Sequence, residues 1–319
     1  MPESRYSRQE ILPFIKKAGQ QKIERATVAI VGLGAIGSTA CELLVRAGCQ
    51  NLIIIDRDLV EESNLQRQLL YSQKDLGKSK ALAAKKRLLE INHHVKITEY
   101  PLNLSGRNVS LLGQANLILD CTDNLKTRFL INDFCKKGKK VWIYASAIQS
   151  EGYVLLIKES DACLRCFLTD VSLPTCETQG VLSTLTTTIA ALQITTAIKY
   201  LINPTTPQHL YYINIWTPSI KQLSIKKKID CPTCKGKYEY LEQPEEPFVH
   251  FCSTGKYQLQ GHPKNFKILK TQLSKLGKVT VERNVLYFQN FTIFKDGRAL
   301  ISAKSAQEAQ SLYSKYIGN

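Results

Sequence analysis

An α/β chain built on a doubly wound sheet, with a small α+β domain behind it, is the fold this sequence predicts, on three observations. The run Ala29-Ile-Val-Gly32-Leu-Gly34-Ala35-Ile-Gly37 reads as a short buried strand entering a glycine turn that opens a helix. In that Rossmann-like arrangement backbone N–H groups and a helix N-terminus converge on a space where a phosphate can sit. From Thr27 to Ala145 strand-length apolar runs alternate with helical patterns, the signature of parallel strands joined by right-handed crossovers. After Ala145 the chain becomes strand-rich, so the second half is expected to extend the sheet in antiparallel fashion.

In chain order, residues 6–22 read as a helical lead-in, with Ile11, Ile15 and Ala18 at helical spacing and Arg5 and Arg8 at its start. Strands are expected at 28–31, 52–56, 95–99, 117–120 and 141–145, and helices at 38–47, 80–91, 106–112 and 126–137. Gly34, Asp56 and Asp123 then lie at strand C-terminal ends, where open α/β sheets gather their ligands. Asp120, following an apolar strand, is read as the N-cap of the helix at 126–137. Further strands are expected at 146–150, 152–157, 210–215 and 220–225. The most membrane-like stretch, 181–202, is threaded with Ser, Thr, Gln193 and Lys199, which makes it a buried or interface helix and excludes a membrane span.

The glycine turn and Asp56 suit a dinucleotide as well as ATP. The residues that follow separate the two: Asp58-Leu-Val-Glu-Glu-Ser63-Asn64-Leu65-Gln66-Arg67-Gln68, then Lys80, then Asp123-Asn124. A dinucleotide site needs one acidic group for the ribose, whereas cleaving a triphosphate needs fixed cations and a carboxylate for Mg²⁺. The second set is present. An NAD(P)-dependent oxidoreductase would leave Arg67, Lys80 and Asp123 without a task, and a non-catalytic nucleotide-binding protein would hold ATP without turnover.

At these residues the chain resembles the ThiF/MoeB/HesA family, which adenylates ubiquitin-like sulfur-carrier proteins and is akin to ubiquitin-activating enzymes. The resemblance runs from Arg5-Tyr-Ser-Arg8-Gln to Cys231-Pro-Thr-Cys234 and covers most of the chain. It implies a homodimer that uses ATP with Mg²⁺ and a sulfur donor of the cysteine desulfurase or rhodanese-like kind. The matching positions are Gly32, Gly34, Ala35 and Gly37, then Asp56 and Asp58, then Ser63, Asn64, Leu65, Gln66 and Arg67, and finally Lys80, Asp123 and Asn124. Ala35 stands where many members carry a second consecutive glycine; the backbone donor survives. The resemblance gives Asp56 to the ribose, Asn64, Arg67 and Lys80 to the phosphates, and Asp123 to Mg²⁺. Arg8 reaches the triphosphate of the partner subunit. Cys176 lies in the polar, turn-rich segment 167–180, which in the family crosses the adenylate; a cysteine there either takes the carrier covalently or joins a persulfide relay. The ThiS carrier of thiamine thiazole synthesis is favoured over MoaD of molybdenum cofactor synthesis by the C-terminal extension and the Ser7-Arg8-Gln9-Glu10 start.

Two Cys-x-x-Cys pairs, Cys163/Cys166 and Cys231/Cys234, complete the donor set of a tetrahedral Zn²⁺ site that staples distant segments and leaves no open position. The other cysteines apart from Cys176 read as small apolar residues. The balance of 43 basic and 27 acidic residues gives a net charge of +16. The basic residues are scattered, with local density at 136–140 and 221–228, and no nucleic-acid-binding signature accompanies them. The start, Met-Pro-Glu-Ser-Arg, carries no secretory signal, so a cytoplasmic location is expected.

The domain reading is an ATP-binding domain at 1–241, a charged proline-rich linker at 242–247 and a small α+β domain at 248–319. In the last, strands are expected at 257–260, 279–282, 285–289, 291–295 and 299–302, a hairpin turn at Asp296-Gly297, and helices at 266–276 and 306–316. It shows no catalytic constellation and reads as a docking or stabilising module.

Overall fold

The computed structural model describes residues 4–168, 179–243, 248–251, 256–283 and 285–318, and Cys176 lies outside them. The chain separates into two compact units, Met1–Gln243 and Pro244–Asn319.

The first unit is organised by an eight-stranded sheet. Its strands are β1 Thr27–Val31, β2 Asn51–Ile55, β3 Lys96–Tyr100, β4 Leu117–Asp120, β5 Trp142–Ile148, β6 Glu151–Ile157, β7 Leu210–Asn214 and β8 Ser219–Leu223. They lie in the order β3-β2-β1-β4-β5-β6-β7-β8. Pairing is parallel from β3 through β5 and antiparallel from β5 through β8. Alternate residues enter two cores: Val28 and Ile30 one, Ala29 and Val31 the other. With both faces covered, β1 reads as a continuous apolar run instead of an alternating one.

The helices Ala35–Ala47 and Ser183–Ile202 build the first core with Ala40, Leu44, Ile189 and Ile194. The second core takes Phe129 and Leu130 from the helix Leu125–Lys137. By length and composition Ser183–Ile202 is the one described helix that passes for a membrane span. Its apolar side chains Leu185, Ile189, Ala190 and Ala197 are buried within this unit, as expected of a core helix.

Three expectations change. The lead-in is two helices, Ser7–Glu10 and Lys16–Arg25, because Pro13 cannot continue the first one. The helix expected at 106–112 is a 3₁₀ segment, Val109–Gln114. The two strands expected at 141–145 and 146–150 are the single strand β5, which pairs with β4 over Trp142–Tyr144 and with β6 along its whole length.

The second unit is a six-stranded antiparallel sheet. Its strands are β9 Phe248–Phe251, β10 Lys256–Gln260, β11 Val279–Glu282, β12 Val285–Phe288, β13 Phe291–Phe294 and β14 Arg298–Ser302, in the order β11-β12-β13-β14-β10-β9. Leu269 and Leu273 of helix Phe266–Leu273 and Ala309 and Tyr313 of helix Ala306–Tyr316 share a core with Ile293 and Ile301. The turn between β13 and β14 holds Gly297 at φ +92°, a left-handed conformation that favours glycine. Strand β9 was not anticipated from the sequence.

Candidate active site

The sheet order reverses between β1 and β4. Strands on either side lead their connections away from each other there, which opens a crevice at the strand C-terminal ends. The glycine turn after β1 forms one wall. Gly32 has φ +87°, and a Cβ on it would meet the Cys121 carbonyl oxygen at 2.8 Å. A Cβ on Gly37 would fall on the Gly32 carbonyl oxygen. Gly34 differs, because its φ of −72° is not left-handed and a Cβ there would have only the Gln68 amide nitrogen at 3.9 Å. Packing thus demands the outer two glycines, whereas the middle one keeps free a space above the turn. Among the described residues no side chain caps the helix Ala35–Ala47, so its first-turn amides are available to an acceptor from outside.

Asp56 directly follows β2, beside this turn. Its Oδ2 accepts the Leu33 N–H at 2.6 Å and its Oδ1 the Asp58 N–H at 2.7 Å. Burial, opposed mainly by Lys80, pushes its pKa up to about 6. Lys80 opens the helix Lys80–Ile91 with its ammonium 3.6 Å from Asp58 Oδ2. Burial would lower its pKa, but Asp58, Asp56, Asp123 and Glu61 together raise it. One buried ammonium thus stands in the field of four carboxylates contributed by the segments after β2 and β4.

In the segment 61–68, Asn64 is buried and its Oδ1 accepts the Glu61 N–H at 3.3 Å. Arg67 Nη1 donates to the Ser63 carbonyl at 2.8 Å. Leu65 packs on the first core, while Ser63 and Gln66 are exposed. Gln68, quoted in the motif but given no role, is 4% exposed, and its Oε1 has no hydrogen-bond partner among the described residues. Tyr71 donates its hydroxyl to the Leu33 carbonyl at 2.9 Å and ties this segment to the glycine turn.

On the β4 side Asp120 is fully buried and accepts from the Thr122 N–H at 3.0 Å and the Thr122 hydroxyl at 2.7 Å. Burial, opposed by Arg128, pushes its pKa up to about 6. Asp120 is not the helix cap expected of it, because it still belongs to β4, paired with Tyr144. The cap is Asn124, whose Oδ1 accepts the Thr127 N–H at 2.9 Å. Asp123 is exposed in the loop between.

Two residues that the sequence reading passed over hold this loop. Arg128 donates to the Thr122 carbonyl at 2.5 Å and lies 3.6 Å from Asp120 Oδ2. Gln193 is fully buried and donates to the Asp120 carbonyl at 3.0 Å and the Ile143 carbonyl at 3.1 Å. A cation in the first turn of a helix opposes the macrodipole, so Arg128 carried a signal; a buried glutamine in a Thr-rich helix carried none.

Arg8 is exposed on Ser7–Glu10. Its neighbour Gln9 donates to the Ala47 carbonyl at 3.0 Å, and Tyr6 accepts from the Asn92 amide at 3.2 Å. Ala47 and Asn92 precede β2 and β3, so the arm is anchored at the end of the sheet opposite the crevice.

The two Cys-x-x-Cys pairs meet. The sulfurs of Cys163, Cys166, Cys231 and Cys234 all lie within 4.8 Å of one another. Cys163 is 3.9 Å from Cys166 and 3.5 Å from Cys231, and Cys166 is 3.6 Å from Cys234. Thiolates at the corners of a tetrahedron with Zn–S bonds of ~2.3 Å stand about 3.8 Å apart, whereas a disulfide needs ~2.05 Å. The donor set fits a tetrahedral thiophilic metal.

The ThiF family model matches residues 6–233. The chain belongs to the ThiF family. It is 32% identical to the "Sulfur carrier protein ThiS adenylyltransferase" of Bacillus subtilis (strain 168), over 98% of this chain and 99% of that one. The "Sulfur carrier protein adenylyltransferase" of Thermus thermophilus is 33% identical over 72% of this chain and 90% of its own length. Among solved structures, Escherichia coli MccB with ATP aligns over 73% of this chain and 74% of that one, with a TM-score of 0.64 at 22% identity. That likeness concerns the fold. Within this ThiF-family chain the glycine turn, Asp56, Asp58, Lys80 and the loop carrying Asp123 come together at one crevice, while Arg8 stands apart from it.

Proposed function

We propose that this protein activates the C-terminal carboxylate of a ubiquitin-like sulfur carrier of the ThiS kind, converting it with ATP into an acyl-adenylate and releasing pyrophosphate. The observation that carries this reading is the convergence of the glycine turn, Asp56, Lys80 and the Asp123 loop at one crevice, in a chain that aligns over 98% of its length with a ThiS adenylyltransferase.

The glycine turn and the uncapped helix receive the phosphates, and Asp56, already oriented by two N–H donors, accepts from the ribose hydroxyls. Lys80, with Arg67, stabilises the negative charge that grows on the departing pyrophosphate. With four carboxylates around Lys80, the crevice needs a divalent cation before it receives a triphosphate, and Asp123 with its exposed carboxylate would hold Mg²⁺. Bound Mg²⁺ would neutralise phosphate charge. The carrier carboxylate attacks the α-phosphorus and the bond to the β,γ-diphosphate breaks, so positioning and electrostatics suffice and no protein nucleophile is consumed. A persulfide donor of the cysteine desulfurase or rhodanese-like kind then displaces AMP.

The anchoring of the Arg8 arm away from its own crevice supports a homodimer in which Arg8 serves the partner's site. The tetrathiol cluster is assigned a structural Zn²⁺ that joins segments 163–166 and 231–234. The domain division at 242–247 separates this machinery from a docking or stabilising module. Cys176 is assigned to the later sulfur steps: Cys176→Ala should keep pyrophosphate exchange and lower thiocarboxylate formation.

A second reading, the same reaction on a MoaD-type carrier, is favoured by the 36% identity to a "Probable molybdopterin-synthase adenylyltransferase" of Porphyra purpurea over 62% of this chain. ATP–pyrophosphate exchange with each purified carrier tests both. Exchange with ThiS alone supports the first reading, exchange with MoaD alone the second, and none with either overturns both.

A further inference from the structure

We infer that Asn132 and Asp133 are positioning residues for the metal centre, holding the two Cys-x-x-Cys segments in ligating register from a single helix. The inference rests on the tetrathiolate assignment above and concerns how this chain shapes that site.

Both residues lie in the last half of helix Leu125–Lys137 and are fully buried, although both are polar. Burying an amide and a carboxyl is unfavourable unless each is hydrogen-bonded. Their partners are the two cysteine segments. Asn132 Oδ1 accepts the backbone N–H of Leu164, between Cys163 and Cys166, at 2.9 Å. Asp133 Oδ1 accepts the hydroxyl of Thr233, between Cys231 and Cys234, at 2.7 Å. Its Oδ2 accepts the N–H of Tyr240, just beyond the second pair, at 3.1 Å. The two side chains touch each other, Asn132 Nδ2 lying 3.4 Å from Asp133 Oδ1.

The same helix face continues the contact in both directions, at the i, i+3, i+4, i+7 spacing of one helical stripe. Lys136 Nζ donates to the Asp161 carbonyl at 2.7 Å and the Glu159 carbonyl at 2.5 Å, on the approach to Cys163. Phe129 lies beneath Arg165, the residue ahead of Cys166, with the guanidinium carbon 5.8 Å from its ring centroid. Phe129, Asn132, Asp133 and Lys136 therefore form one platform for segments 68 residues apart in sequence. Ordering four sulfurs drawn from two separate segments is costly in chain entropy, and bonds made to the ligand-bearing turns meet that cost before the metal arrives. Loss of such outer bonds in other metal sites lowers affinity by about 10–100-fold.

The test uses the full chain with Co²⁺ replacing zinc. It follows chelator competition and the thiolate-to-cobalt absorption band in Asp133→Asn, Thr233→Val and Thr233→Ser. Asp133→Asn and Thr233→Val should each weaken metal binding by about 10–100-fold and alter the band. Thr233→Ser, which keeps the hydroxyl, should restore the wild-type values. A uniform loss of packing would not be reversed by one hydroxyl. Wild-type affinity and spectrum in folded Asp133→Asn and Thr233→Val would overturn the inference; should Asp133→Asn not fold, the Val and Ser pair at Thr233 decides alone. If the wild-type chain shows no thiolate-to-cobalt band, the tetrathiolate assignment falls and this inference falls with it.

Discussion

The backbone N–H of Leu33 is bonded to Asp56 Oδ2 at 2.6 Å, so the turn that leaves β1 and the carboxylate that follows β2 are one unit. The other oxygen of Asp56 is held by the Asp58 N–H, and the side chain is oriented before a nucleotide arrives. A change at this carboxylate is therefore felt at the glycine turn and at the Asp58 segment together.

ATP affinity should rise with pH through about 6. Burial lifts Asp56 from its ordinary 3.8 to about 6, so between these pH values the folded chain retains a proton that the unfolded chain has lost. The stability of the ligand-free protein accordingly declines as pH rises across that window. Asp120, also lifted to about 6 by burial, contributes with the same sign. In the proposed reading nucleotide engages the ionised Asp56. Calorimetric titration of a non-hydrolysable ATP analogue between pH 5 and 8 should show tightening in the wild type and a flatter profile in Asp56→Asn; a flat wild-type profile removes Asp56 from the ribose site.

Gly34→Ala and Gly37→Ala should separate binding from folding. The new methyl at Gly34 has room within the protein but occupies the space above the turn, so the melting temperature should hold while ATP affinity falls. At Gly37 the methyl collides with the Gly32 carbonyl, and a clash against fixed backbone should cost about 3 kcal/mol of stability, the upper end of the usual range for overpacking. Equal ATP affinity in wild type and Gly34→Ala would mean that the phosphates lie elsewhere.

Arg67→Ala, Lys80→Ala and Asp123→Ala should each lower carrier-dependent pyrophosphate exchange by about a hundredfold, the scale of removing one preorganised charge partner. Circular dichroism should stay native. Full exchange by Asp123→Ala at limiting Mg²⁺ contradicts the metal role.

Protein purified without chelator should contain one Zn²⁺ per chain, and Cys166→Ser or Cys231→Ser should lower the unfolding temperature before it lowers adenylation at moderate temperature. Elemental analysis decides the first half, and a metal-free preparation of full stability sinks both.

Arg8→Ala and Lys80→Ala chains, each inactive alone, should recover activity when mixed. If Arg8 acts across a two-fold axis, a heterodimer puts both lesions in one composite site and leaves the other intact. Verified heterodimers without recovery would confine Arg8 to its own subunit or to no catalytic part.

Where local pattern and tertiary environment agreed, the sequence was readable to the residue. The helices Lys80–Ile91 and Ala306–Tyr316 and strand β11 fall where periodicity puts them. Disagreement arose where one local cue competed with another. Pro13 interrupts a run whose apolar spacing alone is helical. Gly113 lies inside the segment Val109–Gln114, which tightens to 3₁₀. The shift from parallel to antiparallel pairing after Tyr144 looks like a boundary between strands but is only a loss of the β4 partner on one side. Of the charged groups gathered around the crevice, Asp56, Asp58, Lys80 and Asp123 were all named from the sequence. Gln193, which holds the Asp120 carbonyl from within, was not, since a polar side chain gives no sign in sequence of the distant carbonyl it will meet, and Arg128 was readable only as a cation misplaced in the first turn of its helix.

The reversal of strand order between β1 and β4 also dictates when the crevice can exist. Strands β5 and β6 join across a two-residue turn, but β1 meets β4 by pairing Val28 with Leu117, a closure that spans two helical crossovers and the β2–β3 pair. Sequence-distant pairings are entropically late events. A ribosome that has released only the first hundred residues has delivered the glycine turn, Asp56 and Lys80 without the opposite wall. The emerging chain therefore has no complete crevice until the loop carrying Asp123 is out, and any ligand that stabilises the folded enzyme through that crevice does so only after most of the sheet has been made.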